Sequence, residues 1–496
     1  MNKSGIIPSA MSLFAGCILP LAFAPYNYSP VALLSLAVLF HAWQNATLHS
    51  AFFRGFLFGL GQFGFGITWI YVCVHDFAGA SQLTSIFIAA SWVVILALFP
   101  AVAGYLSVFS VRPGPVTRLV VVMPGFWVFL EWLRAWMTFP GCPWLQVGYS
   151  QIDSVLAGFA NIGGVYSIGL VVAMAAGLMT TLYRYTSQTR WIALVVILLI
   201  GGIGFVFSNI HWTEPAGASF KVTLLQGNIS QKVKWESETK KETLRRYIDM
   251  TREHWDSRLI VWPETAIPIS YHIVSGLLED LGNEARDTDT DLLIGLPYVD
   301  RESDRTFNAV VSVGTDSGFY FKRHLLPFGE YLPYQPVSKL IADYVIDFSM
   351  SNFSPGLPDQ GLFTAGGFAV AVSICYEDVF GHESLTAMPD ARYLVSVTND
   401  AWFGDTIALD QNLQMARMRA LETGRYMLRT ANTGLTAVIS PSGKIIRQLP
   451  RLQIAALSET IVPMKGSTPY MYHGDYPLMI IMVCSLFVAC FYRGYR

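Results

Sequence analysis

A bundle of membrane-crossing α-helices joined to a separate α/β domain is the fold class this sequence predicts, and three observations predict it. The 496 residues are 53% hydrophobic and only 14% charged, where soluble chains carry about 25% charged residues. The charge is also unevenly spread. Residues 1–210 hold seven Lys or Arg and three Asp or Glu, whereas 211–474 hold twenty-four and thirty-one. Finally, the pattern changes near residue 220, from long apolar runs to short ones alternating with polar helical stretches. The chain is therefore expected to divide into a seven-span part (1–210), a water-exposed domain (211–474) large enough for its own core, and a last span in 475–496. The middle part has a net charge of −7. That excludes a nucleic-acid partner, because phosphate binding needs clustered cations.

A crossing helix needs about 20 mostly apolar residues. Seven such segments precede residue 211, over 6–24, 30–44, 54–74, 83–109, 117–137, 155–183 and 191–209, and an eighth covers 476–492. Ala22-Phe23-Ala24 has the form of a signal-peptide cleavage site, but Pro25 follows it directly and obstructs cleavage, so the first segment reads as a retained helix. Basic residues in alternate loops set the orientation. One set of loops holds Lys3, Arg54, Arg112, Arg118, Arg184 and Arg190, with Arg493 and Arg496 after the last span; the other holds only Arg134. The first set is expected in the cytoplasm with both termini, which puts 211–474 outside it. Glu131 and Arg134, three residues apart inside an apolar segment, read either as functional intramembrane charges or as a local pair near the interface. The uncharged, aromatic stretch Phe139-Pro140-Gly141-Cys142-Pro143-Trp144 suits a headgroup region.

In the soluble part, Phe220–Gln226, Leu259–Trp262, Leu292–Leu296, Ala309–Val313, Ala369–Ile374 and Leu394–Val397 read as buried strands. Glu238–Trp255 and Leu409–Leu428 read as helices, and further strands are expected near 427–440 and 444–458 around the turn Pro441-Ser442-Gly443. This alternation suggests layered α/β architecture. Of six cysteines only Cys375 lies in 211–474, so no disulfide can form within that domain. Cys375 ends an apolar strand, where a side chain is presented outward at a turn; it is either a reactive thiol or a buried core cysteine. Glu264 follows the strand ending in Val261-Trp262-Pro263. Taken alone it is a solvated strand-end carboxylate. Lys322, in Phe321-Lys322-Arg323-His324-Leu325-Leu326-Pro327-Phe328-Gly329-Glu330, is by itself a strand-edge lysine, and Glu330 a surface carboxylate. The histidines at 211, 254, 272, 324, 382 and 473 show no metal-ligand spacing, and no nucleotide fingerprint is evident.

In combination these segments say more. The order Trp-Pro-Glu, then Lys followed by Pro-Phe-Gly-Glu, then Cys-Tyr-Glu resembles the Glu-Lys-Cys triad of the nitrilase superfamily. With the flanking spans, Gln226-Gly227-Asn228-Ile229 ahead of Trp235, Pro143–Ser150 and Ala431-Asn432-Thr433-Gly434, the whole chain resembles the apolipoprotein N-acyltransferase family. The resemblance implies an αββα sandwich for the soluble part and a bacterial inner-membrane location with that part periplasmic. It implies ping-pong transfer of a fatty acyl group from a membrane phospholipid, through a Cys375 thioester, to the N-terminal amine of an S-diacylglyceryl-cysteine apolipoprotein, without metal or cofactor. Glu264 would be the base, its pKa raised by an apolar setting beside Trp262 and Pro263, and Lys322 the cation for the oxyanion, with the Tyr376 N–H. Glu330 would hold Lys322 charged. Trp235 would contact lipid, Tyr376 support the nucleophile turn, and Glu377 stand behind it; each of these three is otherwise ordinary packing. Two other readings use the same residues differently: a membrane-tethered nitrilase or amidase that hydrolyses a C–N bond, and a transporter-like bundle with a binding domain. The near absence of charge in the spans argues against transport.

Overall fold

A computed structural model describes residues 3–109, 114–137, 141–332 and 352–491. Arg112, Phe139, Pro140, Arg493 and Arg496 of the sequence reading lie outside the described residues. The chain forms two compact units, one of Met1–Tyr71, Gln82–Ile210 and Tyr472–Arg496, the other of Val72–Ser81 and His211–Met471.

The first unit is helical. Among the described residues, five of its helices are long and apolar enough to cross a membrane: Gly5–Ala22, Gln82–Phe109, Pro115–Met137, Val155–Arg184 and Gln188–Ser208. The segment expected over 54–74 departs from a simple span. Its helix begins earlier, at Leu48, where the Thr47 hydroxyl caps the Ser50 N–H. It ends at Gly66, and the chain resumes 55° away as Trp69–Phe77. Counted as one, that bent pair makes a sixth crossing. The apolar helices Pro30–Trp43 and Tyr476–Val488 are shorter than a usual crossing. The helices approach closely where side chains vanish: a Cβ at Gly61 would stand 2.6 Å from the Leu13 carbonyl oxygen.

Glu131 and Arg134 are both buried on the helix Met123–Met137. Arg134 Nη1 donates to the carbonyls of Cys142 and Trp144, each at 2.7 Å. Glu131 Oε1 accepts the Val147 N–H at 3.0 Å. Gln62 donates to Leu145 O at 3.2 Å, and Gln146 to the Tyr166 hydroxyl at 3.0 Å. Arg134, Glu131 and Gln62 thus satisfy backbone groups of the irregular stretch 142–147.

The second unit contains two six-stranded sheets. The first runs β13-β2-β3-β4-β5-β6, with β2 Phe220–Gln226, β3 Leu259–Val261, β4 Asp291–Asp300, β5 Arg305–Val313, β6 Gly318–Phe321 and β13 Ala455–Ile461. The second runs β12-β11-β10-β9-β8-β7, with β7 Phe363–Ala365, β8 Phe368–Ile374, β9 Tyr393–Thr398, β10 Met427–Ala431, β11 Ala437–Ile439 and β12 Ile445–Gln448. A small pair, β1 Thr213–Pro215 with β14 Met464–Gly466, lies apart. Strands β2, β3 and β4 are parallel, as are β8, β9 and β10.

Alternation along the strands makes the layers. Val222, Leu224, Leu259 and Val261 share one core with Val372, Val395, Val397 and Leu428 of the other sheet. Leu225, Ile260, Leu292 and Ile294 face outward onto Tyr247 of helix Ser237–Arg252 and Leu278 and Ala285 of helix Tyr271–Asp287. On the far side Leu394 and Met427 meet Leu409, Leu413 and Ala420 of helix Ala408–Thr423. The result is the layered αββα sandwich. The helix read over Leu409–Leu428 is shorter than expected, because Gly424 at φ 57° caps it left-handed and Met427 already begins β10. The strand expected over 444–458 is two, β12 closing one sheet and β13 the other.

Candidate active site

Parallel strands collect their carboxyl ends on one edge, which is the usual place for a site in such sheets. Here that edge brings together Glu264 just beyond β3, Cys375 beyond β8, Asn399 and Asp400 beyond β9, and Asn432 beyond β10. Lys322 follows β6, with its N–H on Asn308 O of β5 at 2.8 Å. The Glu264 turn fits against β4 only because Gly295 lacks a Cβ, which would stand 2.3 Å from Pro263 O.

Lys322 is 1% exposed and sits between two carboxylates, Glu330 Oε2 at 2.8 Å and Glu264 Oε1 at 3.5 Å. Asn308 Nδ2 bridges the same pair, at 2.8 Å to Glu264 and 2.9 Å to Glu330. The other Glu264 oxygen accepts the Asn399 N–H at 2.8 Å. Trp262, expected beside this carboxylate, lies instead in the outer core, stacked on Tyr247 at 5.0 Å and donating to Thr251. The setting of Glu264 is thus a ring of donors. Burial lowers the affinity of Lys322 for its proton, but the charges of Glu330 and Glu264 outweigh that, so it stays an ammonium.

Cys375 is half-buried and opens a tight turn, Cys375–Val379, at φ 55°. A non-glycine residue in that region is strained by about 1–3 kcal/mol and is held by its surroundings. Glu377 supplies much of the hold. Its carboxylate accepts N–H groups from Ile374 at 2.7 Å, Arg323 at 2.6 Å and His324 at 3.2 Å, and the Tyr320 hydroxyl at 2.9 Å. One buried side chain therefore fixes both the turn before Cys375 and the turn after Lys322. Burial, with Glu383 nearby, pushes this carboxyl up to about 7. Tyr376 packs edge-on against Phe380 at 5.2 Å.

The Cys375 thiol is pushed well above its ordinary value, first by burial, then by Glu264; Lys322 acts the other way. All three side chains named from sequence therefore lie in one electrostatic cluster, with Glu330 bonded to Lys322 and Glu377 bonded to the backbone beside Cys375 and Lys322. Trp235 is 45% exposed, and the Lys240 ammonium lies 5.7 Å above its ring.

Several residues were missed from sequence. Asn399 and Asp400 end a buried strand as Glu264 and Cys375 do, so the same rule would have found them. Arg429 stands in the apolar strand β10, fully buried between Asp378 at 2.8 Å and Asp400 at 2.9 Å; a buried strand arginine demands carboxylates. Asn308 and Lys234 gave no such signal.

Comparison with known proteins bears on the whole chain. Residues 15–178 match the model of the apolipoprotein N-acyltransferase N-terminal domain, and 221–464 that of carbon-nitrogen hydrolase. An apolipoprotein N-acyltransferase of Methylococcus capsulatus is 46% identical over 490 residues, covering 98% of this chain and 96% of its own. The chain belongs to the apolipoprotein N-acyltransferase family. A Coxiella burnetii member is 41% identical, over 97% of this chain and 99% of its own. A solved nitrilase-superfamily structure, Nit3 of Saccharomyces cerevisiae, is 18% identical with a TM-score of 0.39, over 50% of this chain and 93% of its own. As a member of the family, the chain is an N-acyltransferase with several apolar helices of membrane-crossing length.

Proposed function

We propose that this enzyme moves a fatty acyl group from a membrane phospholipid to the N-terminal α-amine of an S-diacylglyceryl-cysteine apolipoprotein, through a thioester on Cys375. The observation that carries this reading is the cluster of half-buried Cys375, acting together with buried Glu264 and Lys322, in a chain whose other unit is apolar helices.

The thiol is protonated at rest, so attack and proton removal go together. Glu264 takes the Sγ proton as sulfur adds to the ester carbonyl carbon. The carbonyl oxygen becomes an oxyanion, which Lys322 stabilises. Collapse breaks the C–O bond; the lysophospholipid oxygen leaves with the proton held by Glu264, and the acyl group stays on sulfur. In the second half the neutral α-amine attacks the thioester. An α-amino pKa of about 7.7–8.0 leaves a useful neutral fraction near pH 7. Glu264 takes one amine proton and returns it to the departing sulfur, leaving an amide and the free thiol. Glu330 keeps Lys322 charged and in place, Glu377 and Tyr376 hold the nucleophile turn, and Trp235 contacts the acyl chain or lipid surface. Both substrates are lipid-anchored, so the reading puts residues 211–474 at the outer face of the bacterial inner membrane, with the termini in the cytoplasm and the helices of 1–210 and 475–496 in lipid.

The test uses the full chain in phospholipid vesicles with acyl-labelled phospholipid. Label should appear on Cys375 as a hydroxylamine-sensitive thioester and chase onto a diacylglyceryl-cysteine peptide. Full transfer by Cys375→Ala would refute the mechanism, and hydrolysis of soluble amides with no lipopeptide product would favour the amidase reading.

A further inference from the structure

Among the described residues, ionic side chains electrostatically coupled to the Cys375 thiol include Glu264 and Asp400, which disfavour an anion there, and Lys322, Arg429 and Lys234, which favour one. Two of the three cations are already neutralised. Lys322 is shared by Glu264 and Glu330, and Arg429 by Asp378 and Asp400. Lys234 differs. It is 2% exposed, and among the described residues no carboxylate lies within 4 Å of its Nζ; its hydrogen bond goes to the backbone oxygen of Glu264 at 3.4 Å. A buried ammonium with a single long bond to a carbonyl is costly unless it does something for its neighbours.

The charge arrangement says what that is. Four carboxylates, Glu264, Glu330, Asp378 and Asp400, face two paired cations, and proton transfer to Glu264 moves one negative charge onto sulfur without reducing that surplus. We propose that Lys234 is the counter-charge for that anion: its unpaired ammonium stabilises the thiolate and tetrahedral oxyanion as they develop at Cys375. This deepens, and rests on, the reading of Cys375 as the nucleophile. The turn that carries Lys234 is built for it. The Lys234 N–H bonds Ser230 O at 3.1 Å, turning Lys234 inward while its neighbour Trp235 stays 45% exposed. Burial also lowers the Lys234 ammonium to about 8. Above that pH the counter-charge is lost, so acylation of Cys375 should decline on the alkaline side.

The full chain in phospholipid vesicles allows the test. Alkylation of Cys375 by iodoacetamide, followed across pH by mass spectrometry of its peptide, reports the thiolate with a neutral reagent. Lys234→Met should move the midpoint up by at least about one pH unit and slow single-turnover acylation from labelled phospholipid at pH 7 about ten-fold or more. Lys234→Arg, which cannot titrate, should react several-fold faster at pH 7 than Lys234→Met and lose the decline above pH 8. An unmoved midpoint in Lys234→Met, or an alkaline decline that persists in Lys234→Arg, overturns the proposal. If Lys234→Met fails to fold, the arginine variant decides alone. A higher KM for phospholipid with an unmoved midpoint would assign Lys234 to headgroup binding instead and likewise overturn it. None of these results touches the thioester itself, which fails separately if Cys375→Ala still transfers.

Discussion

Two buried polar clusters, one in each unit, use the same side chains to opposite ends. In the helical unit Glu131 and Arg134 are buried, as Glu264 and Lys322 are in the sandwich. Arg134, however, gives its donors to the backbone carbonyls of Cys142 and Trp144, and Glu131 accepts a backbone N–H. At the sheet edge Lys322 faces two carboxylates that Asn308 ties together, beside a strained cysteine. Charges bound to the main chain fix a fold. Charges bound to one another around a nucleophile can answer a change of charge there, which chemistry requires.

That contrast breaks most sharply at the proposed nucleophile. Cys375→Ala should lower acyl transfer by at least roughly 10³-fold with the melting temperature little changed, since the half-buried thiol contributes modest packing. Next, Lys322→Met should cost about 10²–10³ in single-turnover acylation, read with labelled phospholipid. Asn308→Ala removes a donor shared by two carboxylates and touches no substrate. It should lower kcat by roughly ten-fold, on the scale of one charged hydrogen bond, with KM unchanged; an altered KM would mean the amide reaches the substrate. The smallest effect on catalysis should come from the other cluster. Arg134→Met leaves two buried carbonyls unsatisfied, at about 1–3 kcal/mol each, so thermal unfolding should shift down while turnover per folded molecule holds. If turnover collapsed without loss of stability, the helical cluster would belong to the chemistry after all.

The sandwich was legible because its central strands are buried on both faces and read as unbroken apolar runs, such as Leu259–Val261 and Leu394–Val397. Glu264 and Cys375 were placed at strand ends by the same pattern, but only the order Trp-Pro-Glu, Lys, Cys-Tyr-Glu, which carries the resemblance, singled them out. Lys322 looked like an exposed edge lysine and is among the most buried groups in the chain. Lys234 and Asn308 were invisible, because nothing local distinguishes a lysine in a turn or an asparagine in a strand until the strands that carry their partners are assembled beside them.

By itself, then, the sequence determined where charge is allowed and which segments are apolar enough for lipid, since these follow from composition and short-range periodicity; the candidate triad came from the motif order that carries the family resemblance. Only the tertiary structure decided which carboxylate holds which cation. Glu264, Glu330, Lys322 and Lys234 are separated by up to about a hundred residues, and their pairing depends on the order in which β2, β3, β5 and β6 assemble into one sheet. Coulomb energy at a few ångströms is decided by position, and position is a property of the folded whole.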